Sequence, residues 1–322
     1  MKHKKSVLKI LSANSECFRV SAGIAPNVQG FVSVWEFEKL MMNNLLKMNR
    51  ITNVEDIGSS PNSTKPLVVC STGIEVNHLY NESNLDTMKR MPDNFVDLIV
   101  TSPPYNINLR IRGNEYCRRS KNESGPCNKY ENFTDDLDID EYYEFQEKVI
   151  EEMLRVSKQS FYIIQLVTGN KEAVFKLLGR FCKEIKEFII WDKKVAEPAI
   201  MGNVLNSEFE IIIVFDKETS RQRMFKNGNF DRGTLSNIFR ISKSDAGAEK
   251  HKATFPLKLP KTIIKYFSNE GQIIYDPFMG LGTTAIAAID LKRNWIGSEI
   301  SSEYVQIAEK RIMNKQSQTT LW

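Results

Sequence analysis

Nowhere in these 322 residues does an apolar run approach the roughly 18 residues that a membrane-crossing helix needs. FIIW at 188–191 and IIIVF at 211–215 are the length of strands. The chain begins with a basic cluster, MKHKK, as a secretory leader does, but Lys9 interrupts after only Ser6, Val7 and Leu8. Neither leader nor anchor is expected, and the chain reads as cytoplasmic. Cysteine is scarce. The five residues (Cys17, Cys70, Cys117, Cys127 and Cys182) are scattered, and none forms the close C-x-x-C pairing of zinc and redox sites. Reduced thiols and no metal site are expected. Charge of one sign is also in short supply: the net +4 is modest, so its distribution must carry any argument about partners.

What is present is an ordinary soluble composition, 41% hydrophobic and 26% charged, enough for one large domain or two smaller ones. Residues 1–65 show no repeated pattern, apart from apolar residues at helical spacing in FVSVWEFEKLMMNNLLKM, and SSPNSTKP at 59–66 reads as a linker. An N-terminal accessory segment (1–65) and a catalytic domain (66–322) are the expected divisions. From Val76 onward short apolar runs alternate with longer periodic ones, the pattern of βαβ units. Strands are expected at 78–81, 96–101, 160–165, 188–192, 208–215, 273–276 and 295–299. Helices are expected at 140–156, 171–181, 257–267, 283–291 and 303–314. That is an α/β fold, a doubly wound, mostly parallel sheet of seven strands with helices on both faces. Two segments fit neither pattern and are basic. Residues 108–132 hold six basic residues, among them Arg110, Arg112, Arg118 and Arg119, against three acidic ones. Residues 217–252 hold nine, among them Arg221, Arg223, Lys226 and Arg232, against four. Such insertions invite a phosphate backbone; the bland reading is solvated surface.

The segment IIYDPFMGLGTTAIAAIDLKRNWIGSEIS (273–301) reads as strand, tight turn, helix, strand and carboxylate. Gly280 and Gly282 let the backbone turn sharply and a ligand come close, and Thr283 and Thr284 can cap the helix that follows. Glu299, 17 residues beyond Gly282, stands where a carboxylate can accept both hydroxyls of a ribose. This combination suits a nucleoside. Ala285 occupies the place of the third glycine of the dinucleotide fingerprint, a replacement that pattern tolerates, so spacing alone leaves a nicotinamide cofactor open. Asp276-Pro277-Phe278 tips the balance: an acid beside the turn repels a pyrophosphate but suits the ammonium and sulfonium of S-adenosylmethionine. Its bland alternative is a turn carboxylate.

VDLIVTSPPYNI ends a buried strand with Ser102-Pro103-Pro104-Tyr105. Consecutive prolines stiffen the loop and leave carbonyl acceptors at the sheet edge. Carbonyls of Ser102 and Pro103, with the Ser102 hydroxyl, suit the NH₂ of a cytosine or adenine, and the Tyr105 ring suits its plane; such a base must be flipped out of its stack. The bland alternative is a rigid turn or a proline-rich ligand.

These residues resemble the amino-methyltransferases of bacterial DNA modification, over roughly 77–314. The resemblance includes the approach to SPPY, the HKATFP segment at 251–256, the DPFMGLGTT turn and GSEISSEYVQIAEKRI after it. The catalytic loop precedes the cofactor turn, which looks like the circularly permuted β class. The resemblance implies a Rossmann-like class I methyltransferase fold and places His251, Lys252 and Thr254 at the cofactor. It implies double-stranded DNA as partner, a functional pairing with a restriction endonuclease, a monomer or homodimer, and association with the nucleoid. Ser rather than Asp at the head of the loop favours cytosine N4 over adenine N6. The basic segment at 217–250 lies where the family has its target-recognition region, with 108–132 sharing the task. One departure stands out: where the family has Gly-Asp after its Tyr-Asn, with the Asp at the cofactor adenine, this chain has Glu82-Ser83 after Tyr80-Asn81, and Ser83 is the expected replacement. Cys127 follows Pro126, the pair that holds the nucleophile in enzymes methylating carbon 5 of cytosine. The polar context SGPCNKY argues for a plain thiol. Outside this class, RNA or protein amides as substrates, and a regulatory module that only senses S-adenosylmethionine, are the rival readings.

Overall fold

The computed structural model describes residues 73–107, 137–197, 203–242 and 255–319, and the backbone of four short strands elsewhere. Contacts divide the chain into two units, residues 1–78 with 90–92, and residues 79–89 with 93–322. In the first, β1 (Cys17–Val20) and β2 (Gly30–Ser33) pair antiparallel, Cys17 opposite Ser33.

The second unit follows the expected alternation. After β3 (His78–Tyr80) come α1 (Asn84–Arg90) and β4 (Leu98–Thr101). Next are the strands β5 (Leu109–Arg112) and β6 (Glu115–Arg118), α2 (Ile139–Val156), β7 (Ser160–Ile164) and α3 (Lys171–Arg180). Then follow β8 (Ile185–Glu197), β9 (Ser207–Phe215), β10 (Ile238–Arg240) and α4 (Lys258–Phe267). β11 (Ile273–Asp276), α5 (Thr283–Asp290), β12 (Asn294–Ser298) and α6 (Ser302–Thr319) close the chain. One sheet of eight strands runs β10-β8-β9-β7-β4-β11-β12-β3. β7, β4, β11 and β12 are mutually parallel, and β9 runs against both β7 and β8. Every residue of β4, β7 and β11 is buried, which is why these strands read as unbroken apolar runs rather than alternating ones.

The helices form for local reasons that the sequence shows. Asp138 caps α2 by accepting from the Asp140 amide at 3.0 Å, and Asp140 and Glu141 sit in its first turn. The face it buries, Tyr142, Gln146, Val149, Ile150, Met153 and Val156, recurs at three- and four-residue intervals. In α5, TTAIAAID, the first six residues are all buried.

Three differences from the sequence reading are instructive. The sheet has eight strands, not seven, because β10 lies inside the segment read as a basic loop; it pairs parallel with β8, Ile238 opposite Ile190 and Arg240 opposite Asp192. The 108–132 segment likewise holds regular structure, β5 pairing with β6 antiparallel from Leu109 opposite Arg118 to Arg112 opposite Glu115. The seven-residue α1 was also not expected. Elements this short carry little periodicity of their own and depend on tertiary packing.

Candidate active site

The two sequence motifs meet because β4 and β11 are adjacent and parallel, Tyr275 opposite Ile99. Their carboxyl ends, and the loops that leave them, therefore lie side by side, the usual ligand position of an open α/β sheet. A buried joint fastens them. Thr101 Oγ1 donates to Asp276 Oδ1 at 2.7 Å, Thr284 Oγ1 donates to Oδ2 at 2.6 Å, and the Phe278 amide donates to Oδ1 at 3.0 Å. Burial raises the Asp276 carboxyl to about 6, opposed by the hydroxyls of Thr284 and Thr101 and the Phe278 amide. Asp276 is 1% exposed. Its carboxylate fastens the two loops together at the end of β11.

The glycine turn is built as expected. Gly280 and Gly282 have φ of +52° and +79°. A Cβ on Gly280 would come within 4.0 Å only of the Phe278 carbonyl, so the turn can be approached closely there. At Gly282 a Cβ would press on Ala308 Cβ at 3.2 Å and Ile312 Cδ1 at 3.3 Å, so this glycine also admits α6. Glu299 follows β12. Its Oε2 accepts from the Gly280 amide at 2.9 Å and its Oε1 from the Ser301 amide at 2.8 Å. Burial pushes its carboxyl up, against the pull of the Ser301, Gly280 and Ile300 amides. Pro277 is buried, and Phe278 meets Phe145 of α2 edge-on, centroids 6.2 Å apart. Neither Thr283 nor Thr284 caps α5 as expected: Gly282 is its N-cap, with no side-chain cap bond, and both threonines are buried in the first turn, where the Thr284 hydroxyl goes to Asp276 instead. Ser83 holds the start of α1, its carbonyl accepting from the Asp86 and Thr87 amides at 3.0 and 3.1 Å. Glu82 bonds the Thr87 hydroxyl at 2.7 Å. His251, Lys252 and Thr254 lie outside the described residues.

The S-P-P-Y loop is held at several points that the sequence did not disclose. Buried Tyr142 donates to the Pro104 carbonyl at 2.9 Å, and Asn170 Nδ2 donates to the Tyr105 carbonyl at 2.8 Å. Asn106, in the left-handed region at φ +55°, donates to the carbonyls of Gly169 (2.9 Å) and Leu137 (3.0 Å). Asn170 also donates to the Gln165 carbonyl at 2.9 Å and accepts from the Val167 amide at 2.9 Å. The half-buried hydroxyls of Ser102 and Tyr105 are 2.9 Å apart, and Tyr105 Oη donates to Glu210 Oε2 at 2.7 Å. Glu210, on β9 and 4% exposed, faces the wholly buried Lys193 of β8, whose Nζ is 3.5 Å from Oε1. Lys193 Nζ also bonds Ser207 Oγ at 3.2 Å, and Ser207 Oγ accepts from Gln165 Nε2 at 2.6 Å. Burial and the Glu210 charge hold the Tyr105 phenol well above its ordinary range, so it keeps its proton. The signal that was available is the acid in SEFEIIIVF, at a position whose alternation faces the core.

The basic segment after β9 is anchored, not loose. Asp216 accepts from the amides of Glu218 and Thr219 at 3.1 and 2.8 Å, and Lys186 Nζ donates to the carbonyls of Thr219, Gln222 and Met224 within 2.7–2.9 Å. The rings of Phe225 and Phe230 pack against Phe267. On this support Arg221, Arg223 and Arg232 are exposed, as is Lys226, which lies 3.5 Å from Glu218. Arg110, Arg112 and Arg118 belong to the β5–β6 pair, whose side chains are not described, and Arg119 and Cys127 lie outside the described residues. Among the described residues no helix is long and apolar enough to cross a membrane.

Similar proteins are known. The type II methyltransferase M.BglII of Bacillus subtilis is 27% identical over 271 residues, 72% of this chain and 68% of its own. M.MjaI of Methanocaldococcus jannaschii is 27% identical over 295 residues, covering 76% and 94%. Among solved structures, the cytosine-N4-specific PvuII DNA methyltransferase superposes with a TM-score of 0.55 at 18% identity, over 74% of this chain and 90% of that one. That similarity shows a shared fold, the class I methyltransferase α/β sheet. The profile of the N6/N4 DNA methylases matches residues 96–310, a span holding both motif loops and all but the first strand of the sheet, and the chain belongs to that family.

Proposed function

We propose that this DNA methyltransferase moves a methyl group from S-adenosylmethionine to the N4 of a flipped cytosine in duplex DNA, as the modification partner of a restriction endonuclease. The observation that carries the reading is the Thr101–Asp276 bond, which locks the S-P-P-Y loop to the glycine turn so that a base on one faces a nucleoside on the other.

The residues fit the cofactor. Gly280 leaves its turn open, and Glu299 stands beside it, a carboxylate that backbone amides orient and that retains acceptor capacity for a sugar hydroxyl. When bound, S-adenosylmethionine supplies an electrophilic methyl on a sulfonium. Pro277, Phe278, Thr283 and Thr284 shape the turn, and Ser83 stands at the sheet edge; His251, Lys252 and Thr254 are carried over as cofactor residues from the family resemblance alone. Residues 66–322 form the catalytic domain, and the basic residues of 108–132 and 217–250 contact DNA phosphates.

The chemistry falls to the loop. An aromatic amino group is a weak nucleophile because its lone pair is delocalised into the ring. Carbonyls hold no proton, so those of Ser102 and Pro103, together with the Ser102 hydroxyl oxygen, draw on the amino hydrogens and leave electron density on nitrogen. The Pro104 carbonyl accepts from Tyr142 and the Tyr105 carbonyl from Asn170, which fixes the loop that presents those acceptors. The joint contributes proximity. Bound there, S-adenosylmethionine would supply the methyl group and retain the C–S electron pair, and the loop acceptors would hold the departing amino proton until it passes to solvent. Ser at the head of the loop favours cytosine.

The test is to incubate the protein with labelled S-adenosylmethionine and PCR-amplified genomic DNA, which carries no methylation, and to identify the labelled nucleoside. N4-methylcytosine is expected; N6-methyladenine would overturn the choice of base. Ser102→Ala should lower turnover by about 100-fold with cofactor affinity kept, and Glu299→Gln should weaken the cofactor first.

A further inference from the structure

The hydroxyl chain behind the loop has a direction. Glu210 is a carboxylate paired with the buried Lys193 ammonium, and a carboxylate only accepts. The single proton of Tyr105 therefore points at Glu210, in agreement with the 2.7 Å bond. Tyr105 Oη has then only lone pairs to offer Ser102 at 2.9 Å, so Ser102 must donate its proton to Tyr105. That leaves the Ser102 oxygen with lone pairs and no proton for anything else.

We infer that the Glu210–Lys193 pair is a positioning device that fixes the polarity of the Tyr105–Ser102 hydroxyls, so that Ser102 meets the target base as an acceptor only. An acceptor accommodates an exocyclic amino group and turns away a keto oxygen at the same ring position, which would need a donor. The pair thereby confines the loop to amino-bearing bases: uracil and thymine are rejected by an acid on β9 that need not touch the base. A freely rotating serine would accept either. The supporting elements suit this role. Lys193 has no exposed surface, and its second partner, Ser207, is held by Gln165, so the ammonium that orients Glu210 is itself fixed.

This inference rests on the proposed role of Ser102 at the base, and the experiment separates the two. Glu210→Gln keeps shape and volume. The amide oxygen turns to the Lys193 ammonium, so the amide NH₂ faces Tyr105 and donates. The chain then reverses, and Ser102 presents its proton to the amino group. With unmethylated genomic DNA as substrate and labelled S-adenosylmethionine, Glu210→Gln is expected to lower kcat by about 100-fold, with cofactor affinity unchanged. Tyr105→Phe, which releases Ser102 from the chain, should cost about 10-fold. The double variant should be no slower than Tyr105→Phe alone, because with the phenol gone Glu210 has nothing to direct. Glu210→Asp, which keeps the charge, should recover much of the loss. Wild-type kcat in Glu210→Gln, or losses that multiply in the double variant, would overturn the inference. If Ser102→Ala is as active as wild type, the role of Ser102 itself fails; if Ser102→Ala is inactive while Glu210→Gln is not, only the polarity argument does.

Discussion

Thr284→Val should destabilise this protein more at pH 8 than at pH 5. Thr284 donates one of three hydrogen bonds to the Asp276 carboxylate, a group that burial raises to about 6. An ordinary Asp titrates near 3.9 in the unfolded chain. Between about pH 4 and pH 6 the folded state therefore holds more protons than the unfolded one, and stability falls as pH rises through that window. The total fall is on the order of 3 kcal/mol, and above pH 6 the fold carries the whole cost of a buried charge. The Thr284 hydroxyl lowers that cost because it bonds the ionised form. Its removal should cost about 2 kcal/mol at pH 8, where the bond is charge-assisted, and about 1 kcal/mol at pH 5, where the carboxyl is protonated. In a unit of this size that is a Tm lower by about 4–8 °C at pH 8 and about half as much at pH 5. Thermal unfolding followed by tryptophan fluorescence reads both. Asp276→Asn, which removes the charge, should make the Thr284→Val effect the same at the two pH values. An effect of Thr284→Val that is equal at both in the wild-type background, or larger at pH 5, would refute the account of the joint.

Gly169→Ala should abolish turnover while leaving a folded protein, because a Cβ there would stand 2.0 Å from the Asn106 carbonyl oxygen and must push the S-P-P-Y-N loop aside; overpacking of this kind costs about 1–3 kcal/mol or more. Turnover and Tm measured together distinguish the loop shift from unfolding. Replacing Arg221, Arg223 and Arg232 together by Ala should lower DNA affinity and reduce the slope of log affinity against log salt by about 0.9 for each phosphate that is no longer neutralised. Fluorescence anisotropy with labelled duplex across salt concentrations gives that slope, and an unchanged slope would remove these residues from the DNA interface.

How much of this was visible in the sequence depends on how far each feature is local. β4 and β11 could be read because both faces are covered, so LIVT and IIYD are apolar almost throughout. The glycine turn could be read because positive φ selects for glycine at 280 and 282 whatever surrounds it. Asp276 could be placed beside the turn, but its partner Thr101 lies 175 positions earlier, and no periodicity shows that two loops so distant will share a hydrogen bond. A carboxylate takes its role from the donors that reach it, and for Asp276 those donors come from β4, α5 and the turn itself. The same holds for Glu210, whose neighbours in SEFEIIIVF suggest an ordinary edge of a strand. Only the antiparallel pairing of β8 with β9 brings Lys193 to it, and only the return of the S-P-P-Y loop across the sheet brings Tyr105. Sequence motifs thus mark the loops proposed to meet ligands, since such loops need particular residue types at short spacing. The groups that orient those loops need only be within reach in the fold, so the mark they leave is slight, as with the single acid at a core-facing position of β9.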